Sequence, residues 1–337
     1  MEEPGPVNDG LLLTGATGFI GRAVLENLRR RDDVPRARLL LHHRAPDPAA
    51  PASYEAVYAD LASPETLAGV CDGVDTVLHI ATYIGDDRDR LEAVNARGTE
   101  ALVSLARAAG IRRFLYVSNA ALYGYAVHRN AKETDVAVNP ASPISLSRAR
   151  AERAVLERGG LVLRPLFIYG AGDTHFLPVI IRTLNRFPFL INGGRARLSV
   201  ISADDFAAAL VALVTDRSPR PLRGVCHVND GHPVSLREIV WALADCFGSR
   251  RPLMGLPLSV AQHALRWSGR SAFPKASQES LKHRLYLIAE DHYYDSTKLW
   301  DMIGARPGPP LPMQLAKYSG WYSRFLSQGS ERRRTWL

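Results

Sequence analysis

Eight consecutive residues near the amino terminus, Thr14-Gly15-Ala16-Thr17-Gly18-Phe19-Ile20-Gly21, have the composition and spacing of a site for a phosphate-bearing ligand. They follow an apolar run, Leu11-Leu12-Leu13, and lead into an amphipathic stretch carrying Ala23, Val24, Leu25 and Leu28. That order reads as strand, glycine turn and helix. Gly15 would allow the tight turn, Gly18 would let the backbone approach a pyrophosphate, and Gly21 would let the helix pack closely on the strand. The N–H groups around Thr17, Phe19 and Ile20 would then face the anion from the start of the helix. A glycine-rich turn without a ligand shares this spacing, so later segments carry weight. Asp60-Leu61 after a strand, Val77-Leu78-His79-Ile80-Ala81-Thr82, and Asn95 before Gly98-Thr99 all agree with a dinucleotide cofactor.

Together these segments resemble the extended short-chain dehydrogenase/reductase family, almost from end to end. Further landmarks are Tyr123-Gly124, Leu163-Arg164-Pro165 with Ile168-Tyr169-Gly170, Ser202-Ala203-Asp204-Asp205, Val228-Asn229-Asp230-Gly231 and Asp295-Ser296-Thr297-Lys298-Leu299. The resemblance implies NAD(P) binding, with Ala81, Thr82, Asn95 and Pro165 among the cofactor-binding residues. It also implies a Tyr-x-x-x-Lys pair plus a Ser or Thr, in which Tyr protonates a carbonyl oxygen while hydride arrives from the nicotinamide. This chain departs from that pattern. The Ser/Thr position, four residues before Tyr123, is Asn119, with Ser118 beside it; the Tyr position after Pro143 is Ile144; the Lys position is Arg148. Arg148 keeps a positive charge that could hold the ribose, although a planar guanidinium does not replace an ammonium point charge. As a helix residue sharing its segment with Arg150 and Arg153, it could equally be solvated. Asn119 can donate an N–H but has no acidic proton to give, and Ile144 can do neither. The titratable candidate to replace the missing acid is His175, which could also be an ordinary loop histidine, with Thr174, Ser118 and Tyr83 as other groups near the expected cleft.

The elements that position these residues follow from periodicity. Strands alternating with helices from Leu11 to about Tyr169 predict an α/β fold, a Rossmann-type doubly wound parallel sheet, with a smaller, mainly helical C-terminal substrate lobe. Residues 1–170 would form the cofactor domain, with returning segments near 200–230, among them Val225 to Val228. Residues 171–327 would form the interleaved lobe, and 328–337 a loose tail. With 337 residues of which 46% are hydrophobic, the chain can bury a sizeable core. A net charge of +8 would suit nucleic acid, but the arginines are scattered and often beside acids, as in Arg29-Arg30-Arg31-Asp32-Asp33. Cys71, Cys226 and Cys246 are odd in number and lack ligand spacing, which argues against a disulfide framework and a metal site. No apolar run approaches the roughly 20 residues that span a bilayer, and the start shows no signal peptide, so the expectation is a cytoplasmic protein without a membrane partner.

Cofactor choice and substrate are read from two further segments. After Leu39-Leu40-Leu41, where an NAD-binding protein places an acid on the ribose 2′-hydroxyl, the chain has His42-His43-Arg44. With no repelling carboxylate and with Arg44 able to pair with a 2′-phosphate, NADPH is expected, with NADH tolerated. Phe176, Phe187, Phe189, Trp267 and Phe273 fall in segments that resemble the family's substrate lobe and as a set favour a flat hydrophobic ligand. Arg182, Arg186, Arg195 and Arg197 could instead serve a diphosphate. A ketone flanked by a phenol would bring its own proton, so the expected reaction is reduction of an aromatic polyketide carbonyl, the partner being a small-molecule aromatic ketone. Two alternatives stay open: a nucleotide-sugar epimerase or reductase, and a catalytically silent NADP(H)-binding regulator. The oligomeric state is not legible in the chain.

Overall fold

The computed structural model describes residues 10–31, 36–42, 54–186, 189–218, 220–247, 251–252, 254–268, 282–283 and 285–334. Seven parallel strands form the central sheet: β1 (Leu11–Thr14), β2 (Ala37–Leu41), β3 (Glu55–Tyr58), β4 (Thr76–His79), β5 (Arg113–Val117), β7 (Leu161–Pro165) and β12 (Gly224–Val228). Their spatial order is β12-β7-β5-β4-β1-β2-β3, the doubly wound arrangement expected from the sequence. Most of these strands read as unbroken apolar runs because both faces are covered. Leu11 and Leu13 face a core shared with α1 (Phe19–Leu28) and α6 (Ala203–Thr215), whereas Leu12 faces one shared with α3 (Gly98–Ala108) and α4 (Pro143–Glu157). Val225–Val228 lies in β12, which pairs with β7 through Val228 and Pro165.

The C-terminal part carries α5 (Leu177–Arg186), α7 (Leu236–Phe247), α8 (Leu258–Ser268), α9 (Thr297–Ile303) and α10 (Leu311–Arg334). Short strands accompany these helices. A mixed sheet has the order β13-β10-β15-β6, made of β6 (His128–Ala131), β10 (Arg197–Leu198), β13 (Val234–Ser235) and β15 (His292–Tyr294). Two parallel pairs join β8 (Phe167–Tyr169) to β11 (Val200–Ser202) and β9 (Phe189–Ile191) to β14 (Met254–Leu256). Strands of two to four residues carry no usable periodicity, which is why the sequence hides them. The last helix, α10, is described through Arg334. Beyond Pro312 that segment contains no proline to remove a backbone donor. Among the described residues no helix is long and apolar enough to cross a membrane.

The mixed sheet meets the central one through a buried polar cluster. Arg164 on β7 pairs with Glu152 on α4 through Nε to Oε1 at 3.0 Å and donates from Nη1 to the Tyr123 hydroxyl at 2.7 Å. The Asp295 carbonyl, 3.2 Å from His227 Nδ1, can only accept, so in the neutral ring Nδ1 carries the proton and Nε2 accepts from the Tyr123 hydroxyl at 2.7 Å. Burial alone would lower Arg164, but the hydrogen bond and charge of Glu152 hold its pKa raised. The Tyr294 ring lies 4.7 Å from that of His227 and 5.6 Å from that of His128.

Burial lowers the pKa of His227 and His292 and brings His128 down to about 4, from an ordinary imidazole value of 6.5. Above that ordinary value both folded and unfolded chains carry neutral rings. As the pH falls below it, the unfolded chain takes up protons that the folded one refuses, so stability declines toward about pH 4. Asp230, raised by burial to about 7, works in the opposite direction. We therefore expect urea unfolding of His128→Gln to lose less stability than wild type between pH 7 and pH 4.5. Equal losses in the two proteins would contradict this assignment.

Candidate active site

The site begins where β1 ends. Gly15 takes φ +74°, and a Cβ there would lie 2.7 Å from the Ala81 nitrogen. A Cβ on Gly21 would lie 2.1 Å from the Gly15 carbonyl oxygen, so no side chain fits between turn and helix. Gly18 is exposed and caps α1, whose first turn carries no acidic residue. The positive end of that helix therefore meets no carboxylate of its own turn. Thr17 and Phe19 are half-buried at the mouth. Ile20, in contrast, belongs to the hydrophobic core at 7% exposure, so only its backbone is available to a ligand.

The turn is anchored by residues whose role the sequence did not announce. The Thr14 hydroxyl accepts from Ile80 N at 3.2 Å and from Ala81 N at 3.1 Å, and its proton goes to His79 Nδ1 at 2.7 Å. His79 Nε2–H then donates to the Thr99 hydroxyl at 2.8 Å. Burial brings His79 down to about 3, so the relay works with a neutral ring. Asn95, expected to bind cofactor, is 1% exposed and braces the loop after β4. Its Oδ1 accepts from Tyr83 N at 2.7 Å and the Thr82 hydroxyl at 3.2 Å, and its Nδ2 donates to Tyr83 O at 3.0 Å and Ser147 Oγ at 3.2 Å. Asn95 lies in a π-helical segment, Leu91–Arg97, which offsets the helix by the widened turn needed to aim this amide at the loop.

At the next station, Ser118 follows β5 and is 3% exposed, and its Oγ has no hydrogen-bond partner. Asn119 is already engaged: Oδ1 accepts from Ala121 N at 2.8 Å and Nδ2 donates to the Leu166 carbonyl at 3.0 Å. Those bonds cap the short turn Ala120–Tyr123, a common use of asparagine. Ser142 caps α4, and Pro143 opens it. Ile144 is half-buried in the first turn, with its carbonyl accepting from Ser147 Oγ at 3.0 Å. One turn later, the Nε of half-buried Arg148 is interior and without a partner. Burial lowers its pKa, opposed by Tyr116 and Glu152. Its neighbours differ: Arg150 pairs with Glu92 and Glu100, and Arg153 with Glu157.

Other expected residues scatter. His175 and Thr174 are exposed on the loop before α5, where His175 N donates to Asp173 Oδ1 at 2.8 Å. Tyr83 is half-buried, with the Arg90 guanidinium 4.7 Å from its ring centroid. Ala81 and Thr82 are half-buried at the end of β4, and Pro165 is buried at the end of β7. Leu61 is a core residue whose carbonyl would meet a Cβ on Gly98 at 2.4 Å. Asp60 pairs with His42 at 2.9 Å, while His43 and Arg44 lie outside the described residues. Phe176 is core, the commoner place for an aromatic residue: it is 6% exposed and stacks on Phe167 at 4.4 Å. Phe189 is 37% exposed, Trp267 falls in α8, and Phe187 and Phe273 lie outside the described residues. Arg182 and Arg197 sit over the rings of Phe325 and Tyr293.

The glycine cradle, the uncapped helix start and the orphaned Arg148 Nε fit a nicotinamide dinucleotide. A family model described as the NAD dependent epimerase/dehydratase family matches residues 11–223. The chain is 31% identical over 257 residues to a ceramide reductase of Caulobacter vibrioides, covering 73% of each chain. It is 28% identical over 294 residues to the 4-hydroxy-2-methyl-3-oxo-4-farnesyl-3,4-dihydroquinoline-1-oxide ketoreductase of Stigmatella aurantiaca, covering 83% of this chain and 86% of that one. Among solved structures, the Bordetella bronchiseptica enzyme WbmH in complex with NAD+ superposes with a TM-score of 0.71 at 18% identity, over 93% of this chain and 98% of that one. The chain belongs to the NAD dependent epimerase/dehydratase family and is an NAD(P)-dependent oxidoreductase with a Rossmann-type fold.

Replacing Thr14 by Val keeps the shape but strands the Ile80 and Ala81 N–H groups and the His79 ring nitrogen. Each buried group left unpaired costs about 1–3 kcal/mol. We expect denaturant titration of Thr14→Val to show a loss in that range or above it, together with weaker nicotinamide-nucleotide binding. A variant as stable as wild type would contradict the anchoring role.

Proposed function

We propose that the protein is an NADPH-dependent ketoreductase that reduces one carbonyl of an aromatic polyketide to a secondary alcohol in antibiotic biosynthesis. The observation that carries this reading is that two of the buried side-chain atoms without partners, Ser118 Oγ and Arg148 Nε, stand at the expected catalytic and ribose-binding stations, with Ile144 at the position of the usual acid. A buried hydrogen-bonding group left open in the protein alone calls for an explanation, and a ligand that completes it supplies one. The missing Tyr-x-x-x-Lys pair also resembles the atypical angucyclinone ketoreductase of simocyclinone biosynthesis, and the substrate class is taken from that resemblance. The relatives named for a farnesylated quinoline oxide and for ceramide support a carbonyl on an apolar molecule.

The bound cofactor would supply hydride to the carbonyl carbon. Backbone N–H groups of Phe19 to Gly21 would hold its pyrophosphate, the Gly18 N–H being bonded to the Gly15 carbonyl, and Arg148 its ribose hydroxyls. Ser118 Oγ would donate a hydrogen bond to the oxygen that becomes an alkoxide. Asn119 keeps its neighbouring turn in place rather than giving a proton, since both ends of its amide are bonded to backbone. The proton comes from a phenol beside the ketone: its O–H bond breaks, the alkoxide becomes the alcohol, and a phenolate remains. A finer NADPH preference is read from the absence of an acid directly after β2 and from Arg44.

The test is NADPH oxidation with a hydroxyaryl ketone beside its O-methyl ether. A positioned acid contributes about 10²–10⁴ in rate, so the ether is expected to react slower by a factor in that range. Ser118→Ala should cost about 10²–10³ in kcat with the free phenol. Equal rates for phenol and ether would overturn the substrate-assisted step and point to a protein acid, His175 first. No oxidation of either, with turnover of a 4-keto sugar nucleotide, would replace the reading by the epimerase/reductase one.

A further inference from the structure

The carboxyl ends of three neighbouring strands are level: Thr14 pairs with Leu40, and Leu41 with Tyr58. The Ala59 N–H, donating to Leu41 O at 3.0 Å, carries this alignment one residue past β3. At this edge, beside the glycine turn, the described residues are Thr14 to Gly21, Leu41 to His42 and Tyr58 to Leu61, and Asp60 is the single carboxylate among them. The other cross-strand ion pair of β2 and β3, Arg38 with Glu55, sits at their opposite end.

Asp60 is fixed in place. Its N–H donates to the Thr66 hydroxyl at 2.9 Å, its carbonyl receives that hydroxyl at 3.2 Å, and its Oδ1 accepts from Ala62 N at 2.8 Å. The remaining oxygen, Oδ2, lies 2.9 Å from His42 Nε2. The side chains are 44% and 34% exposed for His42 and Asp60, so the pair stands at the surface of the cleft rather than in the core. A carboxylate there disfavours a second negative group, and the bonds that hold it prevent it from turning away. An imidazole N–H on Oδ2 screens that charge, and an imidazolium cancels it.

We propose that His42 determines cofactor selectivity by masking Asp60, so that the 2′-phosphate of NADPH is accepted at the carboxyl end of β2 without repulsion. This deepens the NADPH reading above and rests on it. Selectivity then depends on a pair of side chains from two strands, and Arg44 is not its only source.

The experiment measures Kd for NADPH and for NADH by the fluorescence of the reduced nicotinamide, without ketone, on the full chain as wild type, His42→Ala, Asp60→Asn and the double variant. Exposed ion pairs shift equilibria by a few tenths to about 1 kcal/mol, so His42→Ala is expected to lower the NADPH-over-NADH preference about two- to five-fold. Adding Asp60→Asn should return that preference to the wild-type value or above it. If the double variant is as impaired as His42→Ala, or if His42→Ala leaves the preference unchanged, the masking role is overturned while NADPH use stands. A wild-type protein that binds NADH as tightly as NADPH overturns both. Melting temperatures of the variants, expected to stay near wild type, separate a selectivity effect from unfolding.

Discussion

Three hydrogen bonds converge on the hydroxyl of Thr14, where β1 ends and the glycine turn begins. Two come from the backbone of β4's continuation, Ile80 and Ala81, and the third passes a proton to His79, which passes its own to Thr99 on α3. Strand β1, strand β4 and helix α3 are thereby locked at the same height, the edge at which ligands bind in open α/β sheets. The lock holds the turn against Ala81, where a Cβ on Gly15 would collide, while Gly21 is required by the closeness of turn and helix. A neutral His79 is part of the device, since burial keeps its ring from taking a second proton.

From that edge the rest of the site is built by side chains that spend themselves on backbone. Asn95 fixes Thr82 and Tyr83, and Asn119 fixes the turn to Tyr123. Tyr123, Arg164, Glu152 and His227 carry the same rigidity outward to β12 and toward the mixed sheet. Among the described residues Ser118 Oγ and Arg148 Nε are two of eleven buried side-chain atoms left without a hydrogen-bond partner, and they are the two that stand beside Asn119 and one turn after Ile144. Their position at the stations where the family resemblance expects catalysis and ribose binding, rather than the lack of a partner alone, is the basis on which the proposal gives those two to ligand.

The parallel sheet was legible because Leu11-Leu12-Leu13, Leu39-Leu40-Leu41 and Val77-Leu78 are apolar runs of strand length, each followed by residues that turn the chain. The glycine turn was legible for the same local reason. Asn95 and Asn119 were singled out in the sequence, but their bonds to Tyr83 and Leu166 depend on contacts 12 and 47 residues away, which no local pattern encodes. The sequence left Phe176 open between ligand platform and core, and its burial and stacking on Phe167 place it in the core. Arg164 was the one available hint of the buried polar cluster, a charge inside an otherwise apolar strand. The two- to four-residue strands of the mixed sheet left no periodic trace.

The central claim is that hydride reaches a carbonyl carbon at a site without the usual side-chain acid. It is tested most directly by single-turnover reduction of a hydroxyaryl ketone with NADPH deuterated at C4 of the nicotinamide on the transferred face, followed by mass and NMR analysis of the product. The account predicts one deuterium on the carbinol carbon and none on its hydroxyl. Tight NADPH binding with no deuterium on any product carbon, from either face of the nicotinamide, would contradict it.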